Sequence, residues 1–336
     1  MAKISVLGAG SWGMAISILL TKNGHDVTIW SFSKEEEEKL KKTRENENRL
    51  PGVILPDSVE ITSDDKKAVY GADLVVVAVP AIATRSTAER FAVLLKGKRV
   101  VTLTKGIEEK TLKIQTEILE EFLGHDTKIA VLSGPSHAEE VAILQPTVVV
   151  VGSKDKELAK YCQEIFMNEV FRVYISPDVV GIEIGASLKN VIALAAGMSD
   201  GLGFGDNAKA ALITRGIKEI SNLAIKMGGK AETLSGLSGI GDLIVTCESH
   251  HSRNRNAGFY IGQGMTAKEA MDKVSMVVEG VYSAKAAKAL GEKYNLELPI
   301  IDAVNRVLFE DASPRKEVID LMNREKKSEI SEGEWK

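Results

Sequence analysis

Lys189 sits in the middle of the apolar stretch EIGASLKNVIALAAG, residues 183–197. On a helix its neighbours three and four positions away are Gly185, Ala186, Ile192 and Ala193, and Ile182 and Ala196 lie a further turn out. All are small or apolar. An ordinary lysine holds its proton up to a pKa of about 10.4. Dry surroundings favour the neutral amine and lower that value, towards the range where a general acid/base works at neutral pH. Two readings stand: a lysine that snorkels out of the core, or a proton donor/acceptor aimed at a substrate hydroxyl. Asn190 is a second polar group on the same helix, satisfied either by backbone or by ligand.

Further residues offer complementary chemistry. SRN, residues 252–254, opens a helical pattern, so a hydroxyl, an arginine fork and an amide stand where free N–H groups point outward. This is either an anion cradle made of Ser252, Arg253 and Asn254, or ordinary capping with an exposed arginine. Asp242 follows Gly241 and precedes an apolar run, which suits an N-cap or a carboxylate partner for a lysine. Lys105, in TLTKG, and Gly134 and Ser136, in SGPSHAEEV, lie at strand ends, where doubly wound sheets bind ligands. Lys105 can equally point at water, and Ser136 can cap the next helix. His250 and His251 have no metal-ligand spacing and are expected at the surface. No metal motif is found.

GAGSWG, residues 8–13, fits Gly-x-Gly-x-x-Gly directly after the first strand and at the start of a helix. Gly8 permits the tight turn, Gly10 admits a pyrophosphate to the backbone, and Gly13 allows close helix–strand packing. The acidic residue expected about 20 positions on is absent from TIWSFSK, residues 28–34. No carboxylate there repels a 2′-phosphate, and Lys34 or Arg49 can hold one, so NADPH is allowed but not demanded.

The elements that must position these groups fall into two patterns. Apolar runs at 3–8, 25–30, 72–80, 99–106, 128–135 and 146–152 read as strands buried on both faces and alternate with helical stretches. From about residue 180 only helical patterns follow, at 181–197, 206–227, 233–246, 253–263, 266–274, 280–294 and 299–310. The expected fold is α/β: a Rossmann-type doubly wound, mainly parallel sheet over residues 1–180, then an all-helical C-terminal domain over 181–325 and a frayed tail over 326–336. At 336 residues two domains are the default. With 44% hydrophobic and 27% charged residues and a net charge of −4, nothing points to nucleic acid or a membrane surface. No membrane span or signal-peptide layout is evident, and Cys162 and Cys247 provide no disulfide framework. A cytoplasmic location is the simplest expectation.

Together GAGSWGMAI, TKGIE, SGPSHAEE, IGASLKNVIALAAGMSDGLGFGDNAKAALITRG, GLSGIGDLIVTC and SRNR closely resemble the bacterial-type NAD(P)-dependent glycerol-3-phosphate dehydrogenases, from residue 3 to about residue 320. The resemblance implies interconversion of dihydroxyacetone phosphate and sn-glycerol 3-phosphate with NAD(P)H, supplying phospholipid synthesis. It implies that Lys189 is the proton donor/acceptor with Asp242 beside it. It implies substrate contacts from Lys105, Gly134, Ser136, Ser252, Arg253 and Asn254. It places Ser11, Trp12, Ala138, Val277 and Glu279 at the cofactor with Gly8, Gly10 and Gly13, and Arg253 near it; we add Lys105, Phe32 and Arg49. It further implies a helical domain of the phosphogluconate-dehydrogenase type and a homodimer. Many members carry arginine or histidine where this chain has Phe32, which leaves the NADH or NADPH preference open. Burial and Asp242 push the Lys189 pKa in opposite directions, and sequence does not decide between them. The rival expectations are a two-domain keto- or hydroxyacid dehydrogenase, for which Arg253 would hold a carboxylate, and a non-catalytic nucleotide-sensing module.

Overall fold

The computed structural model describes residues 1–329 apart from 125, 275 and 327. The expected frayed tail, 326–336, lies largely outside these residues. Eight strands form one sheet: β1 (Lys3–Leu7), β2 (Asp26–Trp30), β3 (Glu60–Thr62), β4 (Leu74–Val77), β5 (Arg99–Thr102), β6 (Lys128–Ser133), β7 (Thr147–Ser153) and β8 (Phe171–Ser176). Their order is β3-β2-β1-β4-β5-β6-β7-β8. Every neighbouring pair is parallel except β6 with β7. This is the doubly wound order, and its switch point falls between β1 and β4. The register aligns Leu7 with both Trp30 and Val77, so the three strands end level at the glycine loop.

The sheet is buried on both faces. Ile4 and Val6 pack on one side with Met14, Leu19 and Phe166. Leu7, Val75 and Val77 pack on the other with Trp30, Phe91 and Leu119. Each fully buried aliphatic side chain contributes about 1.5–3 kcal/mol. Two strands escaped the sequence reading. β3 is only three residues long. β8 is an edge strand whose residues alternate buried and exposed over Phe171–Tyr174, so no unbroken apolar run marks it.

From Val179 onward the described elements are helices around a separate core that includes Leu188, Val191, Ile220, Leu243 and Leu290. Its centre is helix Val179–Gly201, the one described helix long and apolar enough to cross a membrane; 89% of that stretch is buried inside the protein. Helix Arg253–Gly262 packs directly on it. A Cβ on Gly197 would lie 1.9 Å from the Arg255 carbonyl oxygen, and one on Gly258 would lie 2.0 Å from that of Leu194. Only glycine allows this approach, which brings the start of helix Arg253–Gly262 up to Lys189.

The helix expected over 233–246 is broken. The chain forms helix Ala231–Leu234, a π-helical turn at Leu237–Gly241, and then helix Asp242–Glu248. Gly236, Gly239 and Gly241 weaken a continuous helix, and Gly239 packs against the Leu234 backbone where a Cβ would clash at 2.1 Å. The π-turn sets the direction in which Asp242 leaves the backbone. Helix Pro314–Met322 was also not anticipated.

Candidate active site

Lys189 does not snorkel. It is 5% exposed, and its Nζ donates to Thr246 Oγ1 at 2.8 Å and to Asn190 Oδ1 at 3.1 Å. Asp242 Oδ1 lies 3.3 Å away. The Thr246 hydroxyl donates a hydrogen bond to the Asp242 backbone carbonyl at 2.6 Å, which leaves its lone pairs for the ammonium. Asp242 is not an N-cap: it is the first residue of its helix, and its side chain caps nothing. Its second oxygen, Oδ2, accepts from Lys105 Nζ at 2.7 Å. Lys105 also donates to the Gly134 carbonyl at 3.2 Å. One buried carboxylate therefore serves two ammonium groups, one from each half of the molecule.

Burial pushes the Lys189 amine down to about 8 against the pull of Asp242, and Lys105 adds to the lowering. Dry surroundings thus prevail over the carboxylate. The amine is poised to exchange a proton near neutral pH.

The SRN segment adjoins this cluster. Ser252 caps helix Arg253–Gly262, accepting from Arg255 N at 3.2 Å. The first N–H groups of that helix have no intrahelical acceptor. Asn254 Nδ2 donates to Asn190 Oδ1 at 3.0 Å, the oxygen that also receives Lys189. Asn254 Oδ1 accepts from Gly280 N at 2.8 Å. Arg253 is exposed, with Nη1 3.5 Å from the Val277 carbonyl. Capping and anion binding are both available here, one side chain, Asn190, away from the lysine. Ser136 does not cap its helix: its hydroxyl donates to the Gly134 carbonyl at 2.9 Å, and the cap position is His137.

Sequence reasoning missed Thr246 and His137. Burial, and then the Lys189 charge, push the His137 imidazole down. Its ring lies 6.1 Å from that of His251, which, like His250, is exposed. A histidine in SGPSHAEEV was visible, but no signal in the sequence placed it near position 189. Cys247 is no nucleophile, because burial pushes its thiol up to about 12.

The glycine loop fits a dinucleotide. Gly8 has φ 119°, and a Cβ there would meet the Ala78 carbonyl oxygen at 2.7 Å. A Cβ on Gly13 would meet the Gly8 carbonyl oxygen at 1.8 Å, whereas one on Gly10 would meet nothing within 4 Å. The backbone at Gly10 is thus open to an anion at the start of helix Ser11–Lys22. Ser11 Oγ donates to the Arg49 carbonyl at 2.5 Å, and Asn46 Nδ2 donates to the Ala9 carbonyl at 3.0 Å, tying the 46–49 segment over the loop. Trp12 and Ala138 pack beside it against the core of the sheet half. Glu279 Oε1 accepts from Ala81 N at 3.2 Å, bridging the two halves.

At the end of β2, Phe32 is 73% exposed, edge-on to Trp30 and under the Arg90 guanidinium. Ser31 Oγ, at the end of β2, donates to Glu36 Oε2 of the next helix at 2.6 Å. Lys34 and Arg49 are both exposed.

A doubly wound sheet with a glycine loop open to a dinucleotide, joined to a helical half that buries an amine, has the organisation of a nicotinamide-dependent dehydrogenase. Comparison with known proteins narrows this. The family model for the NAD-dependent glycerol-3-phosphate dehydrogenase N-terminus matches residues 3–159, and that for the C-terminus matches 178–319. The chain is 58% identical over 337 aligned residues to a glycerol-3-phosphate dehydrogenase [NAD(P)+] of Agathobacter rectalis, covering all of both chains. It is 56% identical to the enzyme of that name from Fusobacterium nucleatum, covering 98% of this chain and 99% of that one. The crystal structure of glycerol-3-phosphate dehydrogenase from Coxiella burnetii matches with a TM-score of 0.93 at 37% identity, covering 96% of this chain and 99% of that one. The chain belongs to the NAD(P)-dependent glycerol-3-phosphate dehydrogenase family and is an oxidoreductase of that class.

Proposed function

We propose that Lys189 is the proton donor and acceptor in the interconversion of dihydroxyacetone phosphate and sn-glycerol 3-phosphate. One observation carries this reading: the buried Lys189 amine shares Asn190 Oδ1 with Asn254, at the mouth of the anion cradle. An amine able to titrate near neutrality and the helix start read here as the phosphate site are joined by one side chain. A small phosphorylated ketone suits that spacing.

In this reading Ser252, Arg253 and Asn254 hold the phosphate, and that binding energy orients the carbonyl carbon. Lys105, Gly134 and Ser136 line the other side of the substrate. The protonated Lys189 amine donates to the oxygen as it gains charge, and in the reverse direction the neutral amine accepts the hydroxyl proton. Asp242 and Thr246 hold the amine in place through either step. Nicotinamide, when bound, supplies or takes up the hydride. Gly8, Gly10, Ser11, Trp12 and Gly13 would hold its pyrophosphate. Phe32, Arg49, Lys105, Ala138, Arg253, Val277 and Glu279 complete the cofactor site. Residues 1–180 then form the cofactor-binding domain and 181–325 the substrate domain. The reading includes a cytoplasmic homodimer that supplies glycerol 3-phosphate for phospholipids.

The test is oxidation of NADH and NADPH with dihydroxyacetone phosphate against pyruvate and other 2-keto acids. Turnover is expected with the triose phosphate and not with the acids. Turnover with a keto acid alone would overturn the substrate assignment, and no oxidation with any of them would favour a nucleotide-sensing module.

A further inference from the structure

Glu183 lies six positions before Lys189 in helix Val179–Gly201 and points away from the amine, into the sheet half. It is 2% exposed. Its carboxylate accepts the Thr116 N–H at 3.2 Å, the Thr116 hydroxyl and the Gln115 N–H. These donors belong to the first turn of helix Gln115–Leu123, whose N-cap, Ile114, has no side chain able to accept them. The orphan donors at that helix start are therefore satisfied from the other half of the molecule.

The same turn reaches the reaction centre by a second route. Gln115, fully buried, donates from Nε2 to the Gly106 carbonyl at 2.8 Å. Gly106 has φ 156°, and a Cβ there would lie 2.5 Å from that of Ala81, so this backbone has little room to move. Lys105, the preceding residue, holds Asp242 Oδ2, and Asp242 Oδ1 faces Lys189. The contacts close a ring: Lys189 and Glu183 on one helix, then Thr116 and Gln115, Gly106 and Lys105, Asp242, and Lys189 again.

We infer that Glu183 is a positioning residue for the proton-transfer centre, capping a helix of the sheet half so that Lys105 and Lys189 meet the two oxygens of Asp242. The inference rests on the reading of Lys189 given above. An apolar side chain would fill the same space without burying a carboxyl, a group that burial pushes up to about 7. What the carboxylate adds is a directional tie between the halves. A slip of about 1 Å in such an arrangement can cost about a hundredfold in rate.

The test compares Glu183→Ala, Glu183→Gln, Thr116→Val and Lys189→Ala in dihydroxyacetone phosphate reduction. Glu183→Ala is expected to lower kcat about tenfold to a hundredfold. Coenzyme Kd, read by fluorescence, should change by a smaller factor than kcat, because the glycine loop lies outside the ring and Lys105 is the one ring member assigned to the coenzyme. Glu183→Gln should recover kcat to within about threefold: its amide oxygen, with two lone pairs, is left to the Thr116 and Gln115 N–H groups, and its NH2 donates to a hydroxyl that accepts as readily as it donates. Thr116→Val, which removes one arm only, should lower kcat about threefold or more in a folded protein and decides the matter where Glu183→Ala does not fold. A folded Glu183→Ala at parental kcat, equal losses in the Ala and Gln variants, or Thr116→Val at parental kcat would each overturn the inference. Lys189→Ala separates the two claims. If it is inactive while Glu183→Ala is not, only the role of Glu183 falls; if it is active, the reading of the centre falls first.

Discussion

Lys189→Ala is expected to lower kcat for dihydroxyacetone phosphate reduction by about 10²- to 10⁴-fold, the usual contribution of a positioned general acid. The second amine at this centre is otherwise engaged. Lys105 is committed to the far oxygen of Asp242 and to the Gly134 carbonyl. The truncation leaves Thr246, Asn190 and Asp242 standing around a cavity, and none of them donates a proton at neutral pH as an ammonium does. The glycine loop is untouched, so coenzyme affinity should change by no more than about twofold. Steady-state kinetics with a fluorescence titration of NADH or NADPH reads both quantities. Activity within a few-fold of the parent would remove Lys189 from the mechanism.

Asp242→Asn should damage both rate and stability. The Asp242 carboxylate favours the charged amine, while burial and Lys105 oppose it. Without it the Lys189 pKa falls further below about 8. Reduction needs the protonated amine, so the variant should lose rate at lower pH than the parent, and its deficit should widen as pH rises. Two ammonium groups would also lose their shared counter-charge: the Lys189 and Asp242 side chains are 7% and 3% exposed, and that of Lys105 is 17% exposed. Removing one partner of a buried pair costs about 3–5 kcal/mol. A lowered Tm, with the pH–rate curve displaced towards acid, is the expected outcome. An unchanged curve would mean that Asp242 does not govern the amine.

The depth of Lys189 was legible in the sequence because helical spacing alone lists its neighbours on a wheel. Its partners were not. Thr246 is 57 positions away, and Lys105 and Asp242 are 137 apart; only the fold brings them together. Whether burial or Asp242 controls the amine depends on distances, which spacing does not supply. The central strands were legible because burial on both faces leaves unbroken Val-rich runs such as LVVV in β4. β8 was not, because an edge strand carries exposed residues among its buried ones. A continuous helix over 233–246 looked plausible from its apolar residues, yet three glycines and a π-turn break it, and that break aims Asp242. Glu183 stood inside the quoted apolar stretch, but its partner, Thr116, lies 67 positions earlier.

The central claim is that a buried amine, brought down to about 8, gives and takes the proton. The pH dependence of kcat/KM in both directions tests it most directly, because that ratio reports the ionisation of the free enzyme. Reduction of dihydroxyacetone phosphate should hold level in acid and fall by one proton through about pH 8, while oxidation of glycerol 3-phosphate rises through the same value. A reduction rate that stays level until the ordinary lysine range of about 10.4 would contradict it.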